Sequence, residues 1–273
     1  MIKKKYFTTS QEFLKVNAKI IDKNYFAFYN SLMNMLPSKQ LFQLWNIYDC
    51  GQETAYCMWF DDNIVIHSFG WTDETLESIE TDMDFSSLSG YSLSGQRIVI
   101  TDLLEFNDVP YEVIKDRVVY SIDNVPLQEF HNQQLQRAVK EDESEIAEMS
   151  HQYYLEEYQG KGTRTAEHFY DITKSGIENG NIYKLTIGGN ICSIAQVISE
   201  KKFYPIIGQF FTKPKLRGNG YGYSLLNQLS SQLLSEGHSK VGLLADRANP
   251  RSIKIFERVG YLPIYDHLAV QIK

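Results

Sequence analysis

The sequence has no run of the roughly 18 or more apolar residues that a membrane-crossing helix requires. Met1 to Lys5 is basic but has no apolar segment behind it, so a secretory leader is not expected and a cytoplasmic setting is. Cysteine is scarce. Cys50, Cys57 and Cys192 form no C-x-x-C pair, and reduced thiols are the expectation, although Cys50 and Cys57 are spaced so that facing strands could bring them together. No H-E-x-x-H, no paired His/Cys set and no Gly-x-Ser-x-Gly elbow occurs, so neither a metal site nor a hydrolytic nucleophile is expected. Positive charge is also short. The formal net charge is −7, which argues against a general affinity for nucleic acid or an anionic membrane.

What the sequence does have is apolar and aromatic material, 43% and 13% of its 273 residues, ample for packed cores in two domains of ordinary size or one large one. Residues 10–36 read as helix, with Ser10 as N-cap and a break at Asp22-Lys23-Asn24. Leu41 to Tyr48, Thr54 to Phe60 and Asn63 to Phe69 read as strands, rich in aromatic and β-branched residues. Glu74 to Met83 is a helix candidate, Phe85 to Gln96 a loop, Arg97 to Thr101 a strand, Pro110 to Asp116 a short helix and Val118 to Ile122 a strand. The polar stretch Asn124 to Gln134 reads as a linker and divides the chain into domains 1–130 and 131–273. After it, the predicted order is β-α-α-β-β-β-α-β-α-β, a mixed sheet of the α/β class with helices on both faces.

The informative stretch of the second domain is Phe210-Phe211-Thr212-Lys213-Pro214-Lys215-Leu216-Arg217-Gly218-Asn219-Gly220-Tyr221-Gly222. An apolar run from Tyr204 to Phe211 leads into it. Leu225, Leu226, Leu229 and Leu233 follow at helical spacing. A strand, a glycine turn and a helix start make an anion site, because backbone N–H groups converge there and the helix dipole adds positive charge. Gly218, Gly220 and Gly222 are wrongly spaced for G-x-G-x-x-G, and no Gly-Lys-Ser/Thr follows for a Walker A loop. From Thr212 to Arg258, eight basic residues face three acidic ones, so this segment is +5 and the remainder −12. That split suits a polyanionic ligand on the segment and a cationic partner elsewhere.

These motifs resemble those of the GNAT superfamily of acyl-CoA-dependent N-acyltransferases over residues 131–273. Arg217, Gly220 and Gly222 fill the family's Gln/Arg-x-x-Gly-x-Gly/Ala pyrophosphate loop, with Gly218 as its Arg-Gly variant. Asn249-Pro250-Arg251-Ser252, about thirty residues on, followed by Gly260-Tyr261, matches a second family pattern. The resemblance implies a GNAT fold and acetyl-CoA as co-substrate. Backbone groups of Phe210, Phe211 and Thr212 would hold the pantetheine arm, and those of Arg217, Gly218, Asn219, Gly220, Tyr221 and Gly222 the pyrophosphate. Asn249 and Ser252 would lie on the pantetheine side, and Lys213, Lys215 or Arg251 near the outer phosphates. The reaction implied is acetyl transfer to a primary amine of a small molecule or protein, with a homodimer a further expectation.

One position departs from the family pattern. Four residues before Gly260, where the family often places a tyrosine that protonates the leaving thiolate, stands Phe256. Tyr261 and Tyr265 are nearby in sequence. Glu156 and Glu157 are the candidate bases, since an amine must be deprotonated to attack a thioester. The alternative reading is a non-catalytic CoA-binding or regulatory module. Residues 1–130 offer no nameable chemistry, and their order allows either a degenerate GNAT-like unit or a separate α/β domain.

Overall fold

The computed structural model describes residues 1–126, 128–158, 160, 162–198 and 204–273; Leu127, within the expected linker, lies outside them. The first half runs β1 (Ile2–Phe7), α1 (Ser10–Val16), α2 (Ala18–Lys23), α3 (Tyr25–Met35), β2 (Leu41–Asp49), β3 (Gln52–Phe60), β4 (Asn63–Ser68), α4 (Asp73–Glu80), β5 (Ser92–Gln96), α5 (Arg97–Phe106) and β6 (Tyr111–Ile122). The second runs β7 (Gln134–Arg137), α6 (Glu143–Glu157), α7 (Ala166–Glu178), β8 (Ile182–Ile187), β9 (Asn190–Val197), β10 (Ile206–Thr212), α8 (Tyr221–Ser235), β11 (Val241–Asp246), α9 (Pro250–Val259) and β12 (Leu262–Ile272). The fold is mixed α/β. Each half reads strand, helices, three strands, helix, strand, helix, strand. The same order occurs twice.

Several local expectations are corrected. The basic N-terminus is a strand: β1 pairs antiparallel with β2 and buries Phe7, while its lysines blunt a sheet edge. The helical stretch 10–36 breaks at Asn17 as well as Asn24, because the buried Asn17 exchanges side-chain bonds of 3.1 and 2.7 Å with Asn46. Arg97 to Thr101 is helix, not strand. Its β-branched residues mislead, but Val99, Ile100, Leu103 and Leu104 recur at helical spacing and are all buried. Pro110 to Asp116 is not a helix; Tyr111 onward is strand, continuous with Val118–Ile122. The expected loop Phe85 to Gln96 also ends in a strand, β5. Its Gly95 approaches β4 so closely that an added Cβ would stand 1.8 Å from the Ile66 carbonyl oxygen.

By compactness the chain forms two units. The first contains Met1–Val119, Ala245–Ala248 and Pro263–Lys273, the second Tyr120–Leu244 and Asn249–Leu262. Composition places a boundary near residue 130; the contact-defined units part at Val119 and assign most of β12 to the first.

In the first unit, β1-β2-β3-β4-β5-β12 is the strand order, with β4 and β5 parallel and β12 antiparallel to β5. One side of this sheet packs Trp45, Ile66, Leu93, Leu103 and Val270; the other packs Phe13, Phe28, Leu44 and Met58. In the second unit β7, β8, β9 and β10 are antiparallel neighbours and β10 runs parallel to β11. Ile146, Met149, Ile182, Ile191, Ile194 and Phe211 form its core beneath α6. Cys50, Cys57 and Cys192 are unpaired thiols. No helix among the described residues is long and apolar enough to cross a membrane.

Candidate functional site

β10 leaves its parallel neighbour early. It pairs with β11 only at Ile206–Gly242 and Ile207–Leu243, yet stays paired with β9 as far as Thr212–Ser193. A register shift between Gly208 and Phe211 interrupts the second pairing, and Gln209 within it takes a φ of 46°. This is a β-bulge on a left-handed residue, a conformation that non-glycine residues adopt at some cost. From Gly208 to Thr212, the edge turned away from β9 has no strand against it among the described residues. Peptide groups on such an edge need partners, and an extended ligand arm can supply them as an added strand.

Beyond Thr212, a 3₁₀ turn at Pro214–Leu216 leads to the glycine loop. Gly218 and Gly220 have φ of 85° and 79°, and nothing lies within 4 Å of a Cβ added at either. Backbone conformation, not crowding, demands glycine at these two positions. Gly222 differs: a Cβ there would come 3.1 Å from Phe210 Cζ and 3.2 Å from Thr212 Oγ1, so its bareness seats α8 on β10. No side chain caps α8, which starts after Gly220. The Asn219 amide turns back instead and donates to Leu216 O at 3.1 Å. The first-turn N–H groups of a 15-residue helix therefore stay open, with the dipole behind them, and this favours an anion.

Arg217 does not reach out from this loop. Its Nε donates to Thr212 O at 3.0 Å, its guanidinium lies 5.1 Å over the Phe211 ring, and Nη2 donates to both Glu156 oxygens at 2.9 Å. Lys213 is likewise ion-paired, to Glu145 at the start of α6. Part of the positive excess of this segment is thus answered inside the same unit. Lys215 and Arg251 are exposed.

Asn249 caps α9. Its Oδ1 accepts from the Ser252 backbone N–H at 3.2 Å, and Pro250 occupies the first helical position, where the missing N–H costs nothing. Asn249 and Ser252 are therefore held together by the helix start itself. Seven residues beyond Asn249, Phe256 is 5% exposed and packs against the rings of Phe210, Tyr120 and Tyr261 at 5.8, 6.2 and 6.4 Å. It places no hydroxyl at this point. Tyr261 does not replace it, since its hydroxyl bonds Ser230 Oγ at 2.7 Å in the interior and burial drives its pKa upward. Tyr265 belongs to the other unit and bonds His67.

The structure thus gathers Phe210, Phe211, Thr212, Arg217, Gly218, Asn219, Gly220, Tyr221 and Gly222 on one continuous strand–turn–helix segment. Glu156 lies on Arg217, while Glu157 is half-buried in the last turn of α6. The tie between Glu156 and Arg217 spans 61 residues, and no sequence signal announces it. Among the described residues, no group of three or more His, Cys, Asp or Glu side chains is placed to hold a metal ion.

Residues 189–269 match the family model described as "FR47-like protein". No curated protein matches the chain. Solved structures with a similar fold include an acetyltransferase of the GNAT family from Colwellia psychrerythraea, with TM-score 0.60 and 13% identity over 99% of this chain and 98% of that one. A GCN5-related N-acetyltransferase from Sphaerobacter thermophilus has TM-score 0.57 and 15% identity over 83% and 79%. One from Kribbella flavida has TM-score 0.51 and 11% identity over 89% and 92%. At these identities the likeness is one of fold.

Proposed function

From the premise that the C-terminal half carries a GNAT-superfamily fold, we propose that this chain is an N-acetyltransferase that moves an acetyl group from acetyl-CoA to a primary amine. The observation that carries the reading is β10, which parts from β11 and ends in a glycine turn whose helix start is uncapped. The unpaired edge at Phe210, Phe211 and Thr212 suits the amides of a pantetheine arm. The N–H groups from Gly218 to Gly222 suit the pyrophosphate, and Asn249 and Ser252 stand at the start of α9. The acyl carbon would then lie where the edge opens, and an amine attacking it would need a base or a water relay. The acidic remainder of the chain favours a cationic acceptor, such as an aminoglycoside, a polyamine or a protein amine.

A second reading is favoured by Phe256. With a buried phenyl ring where a hydroxyl would serve as acid, the chain would bind acyl-CoA without turning it over. Against this, a thiol of ordinary pKa, about 8.5, leaves tolerably as the thiolate. Release of CoA thiol in the presence of an amine panel separates the two. Thermal stabilisation by acetyl-CoA with turnover supports the transferase, and stabilisation without turnover on any amine supports the binding module. Absence of stabilisation sinks both. Gly220→Asp should abolish the shift, because it sets a carboxylate at the anion's place on a backbone with φ of 79°.

A further inference from the structure

The Glu156 carboxylate is better placed to hold the cofactor turn than to take a proton from an amine. Arg217 has five N–H donors in a rigid fork. Nε is committed to Thr212 O and Nη2 to both oxygens of Glu156, while the guanidinium plane rests over Phe211. These three contacts fix the position of the head group. Among the described residues neither Nη1 donor has a partner, which leaves both for an anion at the turn. Glu156 supplies the outermost of the contacts, from the last turn of a helix that is anchored again, three turns earlier, by Glu145 on Lys213. Between these anchors Ser150 Oγ donates to Gln209 Oε1, at the bulge, at 3.5 Å. Helix α6 thereby touches the segment at three points, the bulge, Lys213 and the turn.

We propose that Glu156 is a positioning residue that orients Arg217 toward the cofactor's phosphates, and is not the general base. The role rests on the acetyl-CoA reading given above. Both Glu156 oxygens are engaged by a permanently cationic group, and the pair faces solvent, with side-chain exposures of 50% for Glu156 and 36% for Arg217. An exposed pair of this kind contributes little to folding, so variants at either end should fold. The same pairing cancels a negative charge that would otherwise stand beside a bound pyrophosphate.

The test is calorimetric titration of the full chain with acetyl-CoA, for the unaltered protein, E156Q, R217Q and the double variant. E156Q is expected to weaken binding about two- to fivefold, the range of an exposed ion pair. R217Q should weaken it more, since the bare carboxylate then faces the phosphates. E156Q/R217Q should bind no worse than R217Q alone. With a responsive amine, E156Q should raise the KM for acetyl-CoA while leaving kcat and its pH profile in place. Affinity equal to that of the unaltered protein, or loss of the ascending limb of the kcat profile with KM unchanged, overturns the role. If the unaltered chain itself fails to bind acetyl-CoA, the cofactor reading falls first, and this role with it.

Discussion

His67, which has no part in the proposed chemistry, makes the first unit sensitive to acid together with His267. It is fully buried between Ser31 Oγ and Tyr265 OH, 2.8 Å from each. Ser31 donates its own proton to Phe28 O, so it accepts from Nε2, and the Tyr265 hydroxyl then donates to Nδ1. The chain of bonds is complete only with a neutral ring. Burial pushes His67 down to about 3 and His267 down to about 4, against 6.5 in an open chain. Below about pH 6.5 the unfolded chain therefore takes up protons that the folded one refuses, so stability falls with pH through both folded values. The urea midpoint should drop between pH 7 and pH 5, and His67→Gln should flatten that drop. A midpoint independent of pH in this window in the unaltered chain would contradict the assignment. At Phe256 the expectation is opposite in kind. Phe256→Tyr puts a hydroxyl among three aromatic rings, which should cost about 1–3 kcal/mol in denaturant unfolding. Thiol release should change by less than a factor of about three, because a thiolate leaves without help; a larger gain would show that a missing acid limits the rate.

Helix starts separate structural capping from the proposed binding role. Asn249 caps α9 and Thr165 caps α7, each accepting from the third residue on. Asn249→Ala and Thr165→Ala should each lower stability by about 1 kcal/mol, but only Asn249→Ala should also weaken acetyl-CoA binding. Equal effects on binding would reduce Asn249 to a cap. The glycine turn and α8 were legible because their constraints are local: positive φ at Gly218 and Gly220, and four leucines at helical spacing. The β8–β9 hairpin was legible for the same reason, its turn being Gly188-Gly189. Elements whose character comes from distant partners were not. In α5, Ile98 to Thr101 favour strand by local propensity, and burial of Val99, Ile100, Leu103 and Leu104 decides for helix. β1 was hidden because three consecutive lysines carry no apolar alternation, and its strand form is imposed by register with β2. The glycine turn proposed to hold the cofactor follows from local spacing, whereas the Glu156–Arg217 tie depends on how α6 packs.

The repeated element order poses a question about the whole chain, namely whether it holds one cofactor or two. The halves exchange their closing strands: Tyr120–Ile122, ending the first, count with the second unit, and Pro263–Lys273, ending the second, with the first. In each unit a parallel pair, β4–β5 or β10–β11, stands at the corresponding point. In the second unit this pair opens after two matched residues and the following helix is uncapped. In the first, pairing holds over four positions, from Asn63–Ser92 to Ile66–Gly95. Just past it, His67 and Tyr265 bond each other, and Phe28 and Phe69 pack against His67 and Tyr265 respectively, at 4.3 and 5.8 Å. The start of α4 carries a capping box, in which Thr72 Oγ1 accepts from the Thr75 N–H and Thr75 Oγ1 accepts from the Thr72 N–H. In the first unit, β5 thus stays on β4 where β11 leaves β10, and side chains answer the Thr72 and Thr75 N–H groups, whereas no side chain caps α8. Titration should give one acetyl-CoA per chain, and Gly220→Asp alone should bring that number to zero. Two sites per chain, or one that survives Gly220→Asp, would mean that the first unit binds despite its filled interior.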